Sequence, residues 1–180
     1  MLAGASSPRL IAMADPGPLI EPLIPVLRRY AYALVREHAT ADDLVQDTLE
    51  RALQHWSSRR AEGDLRAWLF TILRNLHVSR HRQAQRRGPS VELDDANVPG
   101  TAASQDATVE AHDVLAALQQ LPEEQKSLLL LVGVEEFSYD QAARILDLPM
   151  GTVMSRLSRA RKKLRSIVEG GRVTLLRRVK

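Results

Sequence analysis

The chain has 180 residues, the size of one ordinary domain or of two small ones. Its 25 Lys and Arg against 22 Asp and Glu give a net charge of +3, too mild to indicate a polyanionic partner by itself. The absence of cysteine excludes disulfides, a thiolate nucleophile and cysteine-ligated metal sites, and 4% aromatic residues are too few for a base-stacking platform.

The first 18 residues are predicted to be a disordered tail. They are rich in Ala, Ser, Gly and Pro, and they lack the apolar stretch of a secretory signal. Because no apolar run in the chain approaches 18 residues, we also expect no membrane-spanning segment. The sequence therefore predicts a cytoplasmic protein.

Three helices are predicted in the first half of the chain. The first runs from about Glu21 or Leu23 to Glu37, with prolines that are tolerated only in a first turn. The second begins at Thr40, a candidate N-cap, and the third is capped by Asp64 and continues to about residue 87. The second and third have apolar stripes at helical spacing. These stripes are Leu44, Val45, Leu49, Ala52, Leu53 and Trp56, then Leu65, Trp68, Leu69, Ile72, Leu73 and Leu76.

The face of the third helix opposite its apolar stripe is polar and basic. It carries Thr71, Asn75, Val78 and Arg82, with Arg74 and His81 beside them. Such a face is usually only solvated. Asn75 is a mediocre helix former, so its position in the middle of the helix calls for a tertiary or functional reason.

Residues 88–108 are predicted to form a flexible linker, because they combine Pro, Gly and small polar residues without a period. From residue 88 to residue 125 there are eight acidic residues and no Lys or Arg. This acidic stretch separates eight Arg between 57 and 87 from ten Lys or Arg between 150 and 180. Two basic zones in one small protein favour a polyanion that touches both ends.

Residues 109–168 are predicted to form a second helical block, with breaks at Leu121-Pro122, Gly133 and residues 147–149, that ends in a helix-turn-helix. Ser138 and Gln141 have the spacing of a capping box, and after the turn a second helix begins near Gly151. The expected buried stripe of this second helix is Val153, Leu157, Ala160 and Leu164, which turns Ser155, Ser158, Arg159 and Lys162 outward, with Met154 and Arg156 at the flanks. Short hydroxyls and arginine on the first turns suit insertion into the major groove, and the alternative is an ordinary helical hairpin with a charged face.

Four motifs, Asp42–Thr48, Leu65–Asn75, Leu121–Gln125 and Gly151–Arg161, occur in an order and spacing that strongly resemble an extracytoplasmic-function (ECF, group 4) sigma factor of the bacterial sigma-70 family. The resemblance covers roughly Leu19 to Ile167. It implies an all-α fold of two small helical domains, sigma domain 2 and sigma domain 4 with its helix-turn-helix, joined by the flexible acidic linker. The implied bounds are a tail at 1–18, sigma domain 2 at 19–87, the linker at 88–108, sigma domain 4 at 109–169 and a basic C-terminal tail at 170–180.

The resemblance implies an alternative sigma factor that binds core RNA polymerase and promoter DNA and directs promoter-specific initiation. It further implies a stress or environmental response, an anti-sigma partner, no enzymatic activity, and neither a cofactor nor a metal. The implied polymerase-binding residues are Asp42, Asp43, Leu44, Val45, Gln46 and Asp47. Those for the −10 element are Trp56, Thr71, Arg74, Asn75, Val78 and Arg82, and those for the −35 element are Thr152, Met154, Ser155, Ser158, Arg159 and Lys162. Many relatives place Arg where this chain has Met154, so a guanine or phosphate contact is lost there.

Three other functions fit the sequence less well. An enzyme is disfavoured because the five His show no metal-binding spacing, and the i, i+4 pair His77 and His81 lies on a basic helix without a nearby acid. A sigma-like decoy that sequesters an anti-sigma factor would carry a receiver domain, which we do not expect here, and would lose residues such as Asn75 and Arg159. A plain helix-turn-helix repressor leaves the first helical block unexplained.

Overall fold

The computed structural model describes residues 15–59, 63–87 and 109–178, and these residues form helices and no strand, which confirms the all-α prediction for them. Contacts along the chain divide it into two compact units, Met1–Ala84 and Gln85–Lys180. The predicted linker and most of the predicted N-terminal tail lie outside the described residues. Within the described part of the chain, no helix has the length and apolar character needed to cross a bilayer.

The helices of the first half of the chain are α1 (Gly17–Ile20), α2 (Ile24–Val35), α3 (His38–Gln54) and α4 (Leu65–Arg87), with single 3₁₀ turns at Glu21–Leu23 and Trp56–Ser58. The predicted tail is therefore helical from Gly17 onward. The prolines of this region occupy first-turn positions of their helices, where the missing N–H has no intrahelical acceptor in any case.

The junction between α2 and α3 differs from the prediction. Arg36 adopts the left-handed conformation with φ of 61° and ends α2, and Glu37 is extended and becomes the N-cap of α3. Thr40 lies inside the first turn and donates its hydroxyl to the Glu37 carboxylate. The predicted N-cap at Thr40 is wrong because this reversal of the chain starts the helix three residues earlier. The rings of Tyr32 and His38 stack across the junction with centroids 4.3 Å apart.

The core of the first unit lies where α2, α3 and α4 meet. Tyr30 and Phe70 are fully buried, and their rings contact each other with centroids 5.0 Å apart. Phe70 is not part of the predicted apolar stripe of α4. The buried face of this helix is therefore wider than that stripe. Leu53 was predicted to face inward and is 51% exposed. Ala52 occupies the inward position near the end of α3, buried Trp56 follows in the 3₁₀ turn, and Leu53 is rotated away from Ala52 by about 100°.

The second half of the chain contains α5 (Val109–Gln119), α6 (Glu123–Gly133), α7 (Tyr139–Leu146) and α8 (Met150–Arg178). The predicted breaks near Pro122, Gly133 and Pro149 are all confirmed. Helix α8 packs against α5, α6 and α7, and it continues without interruption into the segment predicted as a C-terminal tail. The core of this unit consists of apolar side chains from α6, α7 and α8, among them Leu128, Leu131, Ile145, Val153, Leu157 and Ala160.

Candidate nucleic-acid and polymerase interfaces

The predicted helix-turn-helix is confirmed, and its geometry follows from local hydrogen bonds. The backbone N–H of Gln141 donates to Ser138 Oγ at 3.1 Å, and the N–H of Ser138 donates to Gln141 Oε1 at 2.9 Å, so the capping box is complete. Asp147 adopts the left-handed conformation and ends α7. The chain then turns through Pro149, whose carbonyl accepts from the N–H of Thr152 at 2.9 Å in the first turn of α8.

The register of α8 matches the prediction from helical periodicity. Val153, Leu157 and Ala160 are buried, and the predicted outward residues Ser155, Ser158, Arg159 and Lys162 are exposed, together with Met154. Thr152 is half-buried at the start of the helix. The exposed face of α8 is therefore a row of hydroxyl and cationic side chains beginning at its N-terminal turns. Such a row can contact base edges and phosphates in a major groove.

Several polar groups on α8 already have partners within the protein. Ser155 donates its hydroxyl to the carbonyl of Thr152 at 3.1 Å, and Arg159 Nε donates to the carbonyl of Ser155 at 3.3 Å. Arg156 forms an ion pair with Glu124 of α6. This ion pair connects the first turns of α8 to α6, so the guanidinium of Arg156 faces the protein.

The candidate polymerase-binding residues on α3 divide into two groups. Leu44 and Val45 are buried in the core of the first unit and hold the helix in place, whereas Asp42, Asp43 and Gln46 are exposed, and Asp42 forms an exposed ion pair with Arg28 of α2 at 3.0 Å. The sixth candidate, Asp47, is half-buried and forms an ion pair with Arg80 of α4.

Further side chains extend the exposed face of α3 beyond the residues singled out in the sequence. Gln46 donates an amide hydrogen bond to Glu50 Oε1 at 3.0 Å, which lines the two up along one side of the helix, and exposed Leu53 follows on the same side. The i, i+4 and i, i+3 spacing from Gln46 to Glu50 to Leu53 is the signal that could have indicated this longer surface.

The candidate −10 residues lie mostly on one face of α4. Asn75 is exposed and lines a cavity of about 320 Å³ together with Arg51, Ile72, Leu76 and Ser79. Arg74 donates to Asn75 Oδ1 at 3.2 Å, which orients the amide at the mouth of this cavity.

The other candidate −10 residues have different environments. Thr71 donates its hydroxyl to the carbonyl of Ala67 at 2.8 Å, Val78 is half-buried and Arg82 is exposed. Trp56 is only 8% exposed, with its ring edge-on to Trp68 and the guanidinium of Arg59 4.9 Å from its ring centroid. Trp56 is thus a buried side chain that packs near the start of α4, where Trp68 lies.

No cluster of three or more His, Cys, Asp or Glu in the described residues is arranged to hold a metal ion. His77 and His81 stack with ring centroids 6.3 Å apart, and His77 is buried on α4.

Comparisons with known proteins give two family matches. The model described as the Sigma2 domain of PhyR matches residues 20–74, and the model described as Sigma-70, region 4 matches residues 111–164. The first match contains the exposed face of α3 and three of the six candidate −10 residues, Trp56, Thr71 and Arg74, and the second contains the helix-turn-helix as far as residue 164 of α8.

Curated relatives and solved structures agree with these matches. The chain is 41% identical over 145 residues to the ECF RNA polymerase sigma factor EcfG of Rhodopseudomonas palustris strain TIE-1, covering 81% of this chain and 80% of EcfG. It is 36% identical to the ECF RNA polymerase sigma factor SigL of Mycobacterium tuberculosis, covering 78% and 81% of the two chains. The sigma factor RpoE of Bartonella quintana, solved in complex with the anti-sigma factor NepR, matches with a TM-score of 0.74 and 34% identity over 84% of this chain and 95% of that chain. CnrH, solved with the cytosolic domain of CnrY, shares the fold at a TM-score of 0.68 and 24% identity over 90% of this chain and 94% of that chain.

Proposed function

Since this chain belongs to the extracytoplasmic-function family of RNA polymerase sigma factors, we propose that its two helical units divide the work of promoter recognition between them. The protein binds core RNA polymerase and promoter DNA and directs initiation, and it acts by positioning the polymerase, without an enzymatic reaction of its own. The first unit, at 19–87, holds the polymerase and the −10 element, and the second, at 109–169, holds the −35 element. Its place of action is the cytoplasm, where polymerase and DNA are found.

The polymerase contact is made by the exposed polar face of α3. Asp42, Asp43 and Gln46 project from a helix whose position is fixed by buried Leu44 and Val45. Two exposed carboxylates and an amide are complementary to a basic partner helix. Asp47 contributes indirectly, since its carboxylate is engaged by Arg80.

The −10 contact is made by α4. Asn75 stands beside a cavity and offers both an amide donor and a carbonyl acceptor, the groups needed to read the edge of a base extruded from the melted strand. Arg82 is exposed further along the helix and pairs with backbone phosphate. Thr71 and Val78 border this surface, Arg74 orients Asn75, and Trp56 packs against Trp68 near the start of the helix.

The −35 contact is made by the exposed face of α8. Ser155, Ser158 and Arg159 face base edges, and Thr152 and Lys162 contact phosphate on either side of them. The single observation that carries the proposal is the agreement between the complete helix-turn-helix and this row of hydroxyl and cationic side chains.

The test is run-off transcription with core RNA polymerase of Rhodopseudomonas palustris on a genomic DNA library, with and without the purified protein. We expect new start sites that share two upstream elements and disappear when Asn75 is replaced by Ala. Gln83→Ala, an exposed amide on the same helix, is the matched control and should leave the start sites unchanged. A protein that neither binds core polymerase nor creates start sites would refute the proposal.

We further propose that an anti-sigma factor of the NepR type holds the protein inactive. The support is that RpoE, 34% identical in sequence, was solved in complex with NepR, and that residues 20–74 match the Sigma2 domain of PhyR. Binding by such a partner should exclude core polymerase. In a competition assay with purified NepR of Bartonella quintana, rising NepR should displace the protein from core polymerase. Simultaneous binding of NepR and core polymerase would contradict this mode of control.

The match to the Sigma2 domain of PhyR also favours a second candidate function, because PhyR of Bartonella quintana is an anti-anti-sigma factor that was solved in complex with NepR. A protein of that kind is a decoy that binds an anti-sigma factor. A decoy needs no promoter contacts, whereas α8 keeps an exposed row with Arg159 and Lys162. The same assays separate the two functions. A decoy would bind NepR but would neither bind core polymerase nor create start sites.

A further inference from the structure

The first two turns of α8 expose an apolar side chain in the middle of the surface proposed to read DNA. Of residues 150–157, only Gly151, Met154 and Ser155 are exposed, and Met154 is the largest of them at 54% exposure. In a helix-turn-helix these N-terminal turns are the part of the recognition helix that contacts base edges. The flexible thioether side chain of Met154 therefore occupies a position at which a polar side chain is usually needed to contact a base edge.

The first two turns of α8 offer no exposed cationic side chain to read guanine. The only cation in the first two turns is Arg156, and it is paired with Glu124 of α6. Guanine is recognised mainly by a bidentate contact from arginine or lysine. The base pair that faces Met154 must therefore be recognised by a different kind of contact.

An aromatic side chain next to Met154 enlarges the apolar surface. Tyr139, the first residue of α7, is 36% exposed and lines one groove with Met154 and Ser158. The same groove is also lined by the cationic side chains Arg161, Lys162 and Arg165. An apolar patch with a cationic margin is complementary to the methyl group of a base next to a phosphate backbone.

We propose that Met154, backed by the ring of Tyr139, reads the C5-methyl group of a thymine in the −35 element and so selects a T·A pair at that step. The thymine methyl is the apolar group that base pairs offer in the major groove, and the unbranched thioether of Met adapts to it readily. This inference rests on the proposed function, because it requires α8 to lie in the major groove of the −35 element. Removing one methyl-sized group from such a contact should weaken binding about fourfold, the equivalent of about 0.8 kcal/mol.

The test replaces each thymine of the −35 element, on either strand, by deoxyuridine, which differs only in lacking the methyl group. Duplex promoter fragments identified by the run-off experiment are titrated with holoenzyme at low temperature. We expect deoxyuridine at one of the thymine positions to weaken promoter binding by the wild-type holoenzyme about fourfold. That penalty should vanish in Met154→Ala and persist in Met154→Leu. Val134→Ala, which removes another exposed apolar side chain of the same unit, should keep the full penalty.

Two results would overturn the inference while leaving the proposed function intact. One is a −35 element with no thymine on either strand. The other is a deoxyuridine penalty that is absent or is the same in wild type and Met154→Ala, with start sites still specific. If the proposed function itself failed, the holoenzyme would form no specific promoter complex with any fragment, which is a different outcome. As a second readout, Met154→Arg should change the preferred base at the same step from T to G, because the new guanidinium can pair with guanine.

Discussion

Replacing the acidic residues of α3 tests how this helix binds polymerase, because two of its carboxylates have different surroundings. Asp43 is exposed, whereas Asp47 is half-buried and paired with Arg80. We expect the double substitution Asp43→Ala, Asp47→Ala to weaken binding to core polymerase, and nearly all of the loss to come from Asp43. Removing a carboxylate that becomes buried against a basic partner costs about 2 kcal/mol, which is roughly a 30-fold loss of affinity.

Asp47→Ala should instead affect the stability of the first unit. The side chains of Arg80 and Asp47 are 40% and 45% exposed, so their ion pair is screened by water and contributes at most about 1 kcal/mol. In urea unfolding, Asp47→Ala and Arg80→Ala should each lower the free energy of unfolding slightly. The decrease for the double variant should be no larger than the sum of the two single decreases. The charge swap Asp47→Arg, Arg80→Asp should recover part of the loss.

The assay for the polymerase contact is a fluorescence titration of labelled protein with core polymerase, in which Glu21→Ala serves as the control for loss of an exposed carboxylate elsewhere in the same unit. The reasoning would be refuted if Asp47→Ala alone lowered the affinity for core polymerase tenfold while the affinity of Asp43→Ala stayed close to that of wild type. It would mean that Asp47 leaves Arg80 and faces the polymerase.

The remaining predictions concern the second unit. Arg159→Ala should abolish dependence on the −35 sequence while core binding stays intact, as measured by transcription from promoters with and without that element; retained dependence would show that this face of α8 is not in the groove. Lys162→Ala should weaken binding to all promoters alike and reduce the salt dependence of affinity, since a phosphate contact carries no sequence information. Ser138→Ala should lower the thermal stability of the second unit by about 1 kcal/mol because it removes one half of the capping box, and an unchanged melting temperature would contradict that assignment. Leu157→Ala should cost about 2–4 kcal/mol in chemical unfolding because it leaves a cavity in the core between α8 and the other helices.

The parts of the site that sequence could predict are those fixed by nearby residues. Ser138 and Gln141 are three residues apart, so their mutual hydrogen bonds were visible as a pattern. The outward direction of Ser155 and Arg159 followed from the rotation of a helix with Val153 and Leu157 buried. Both inferences depend only on local geometry, and the structure confirms both.

The parts that sequence could not predict depend on the backbone turn or on partners far along the chain. The left-handed conformation of Arg36 has no strong signature in a non-glycine residue, and it places the N-cap of α3 at Glu37 and not at Thr40. Asp47 and Arg80 are 33 residues apart, and nothing in their own neighbourhoods indicates that they pair. The resemblance to sigma factors grouped Asp47 with the exposed residues of α3, whereas the fold gives its carboxylate an internal partner.

The burial of Val153 and Leu157 makes the promoter preference of this protein easy to change. Because these buried side chains, with a smaller contribution from the partly exposed ion pair between Arg156 and Glu124, determine how α8 packs on its unit, the neighbouring side chains at 154, 155, 158 and 159 do not determine that packing. Duplicated genes of such a factor can therefore diverge in the promoters they serve by a few surface substitutions, without a loss of folding that selection would remove. For the same reason, a set of variants altered only at these four positions is a practical starting point for orthogonal transcription circuits that share one polymerase.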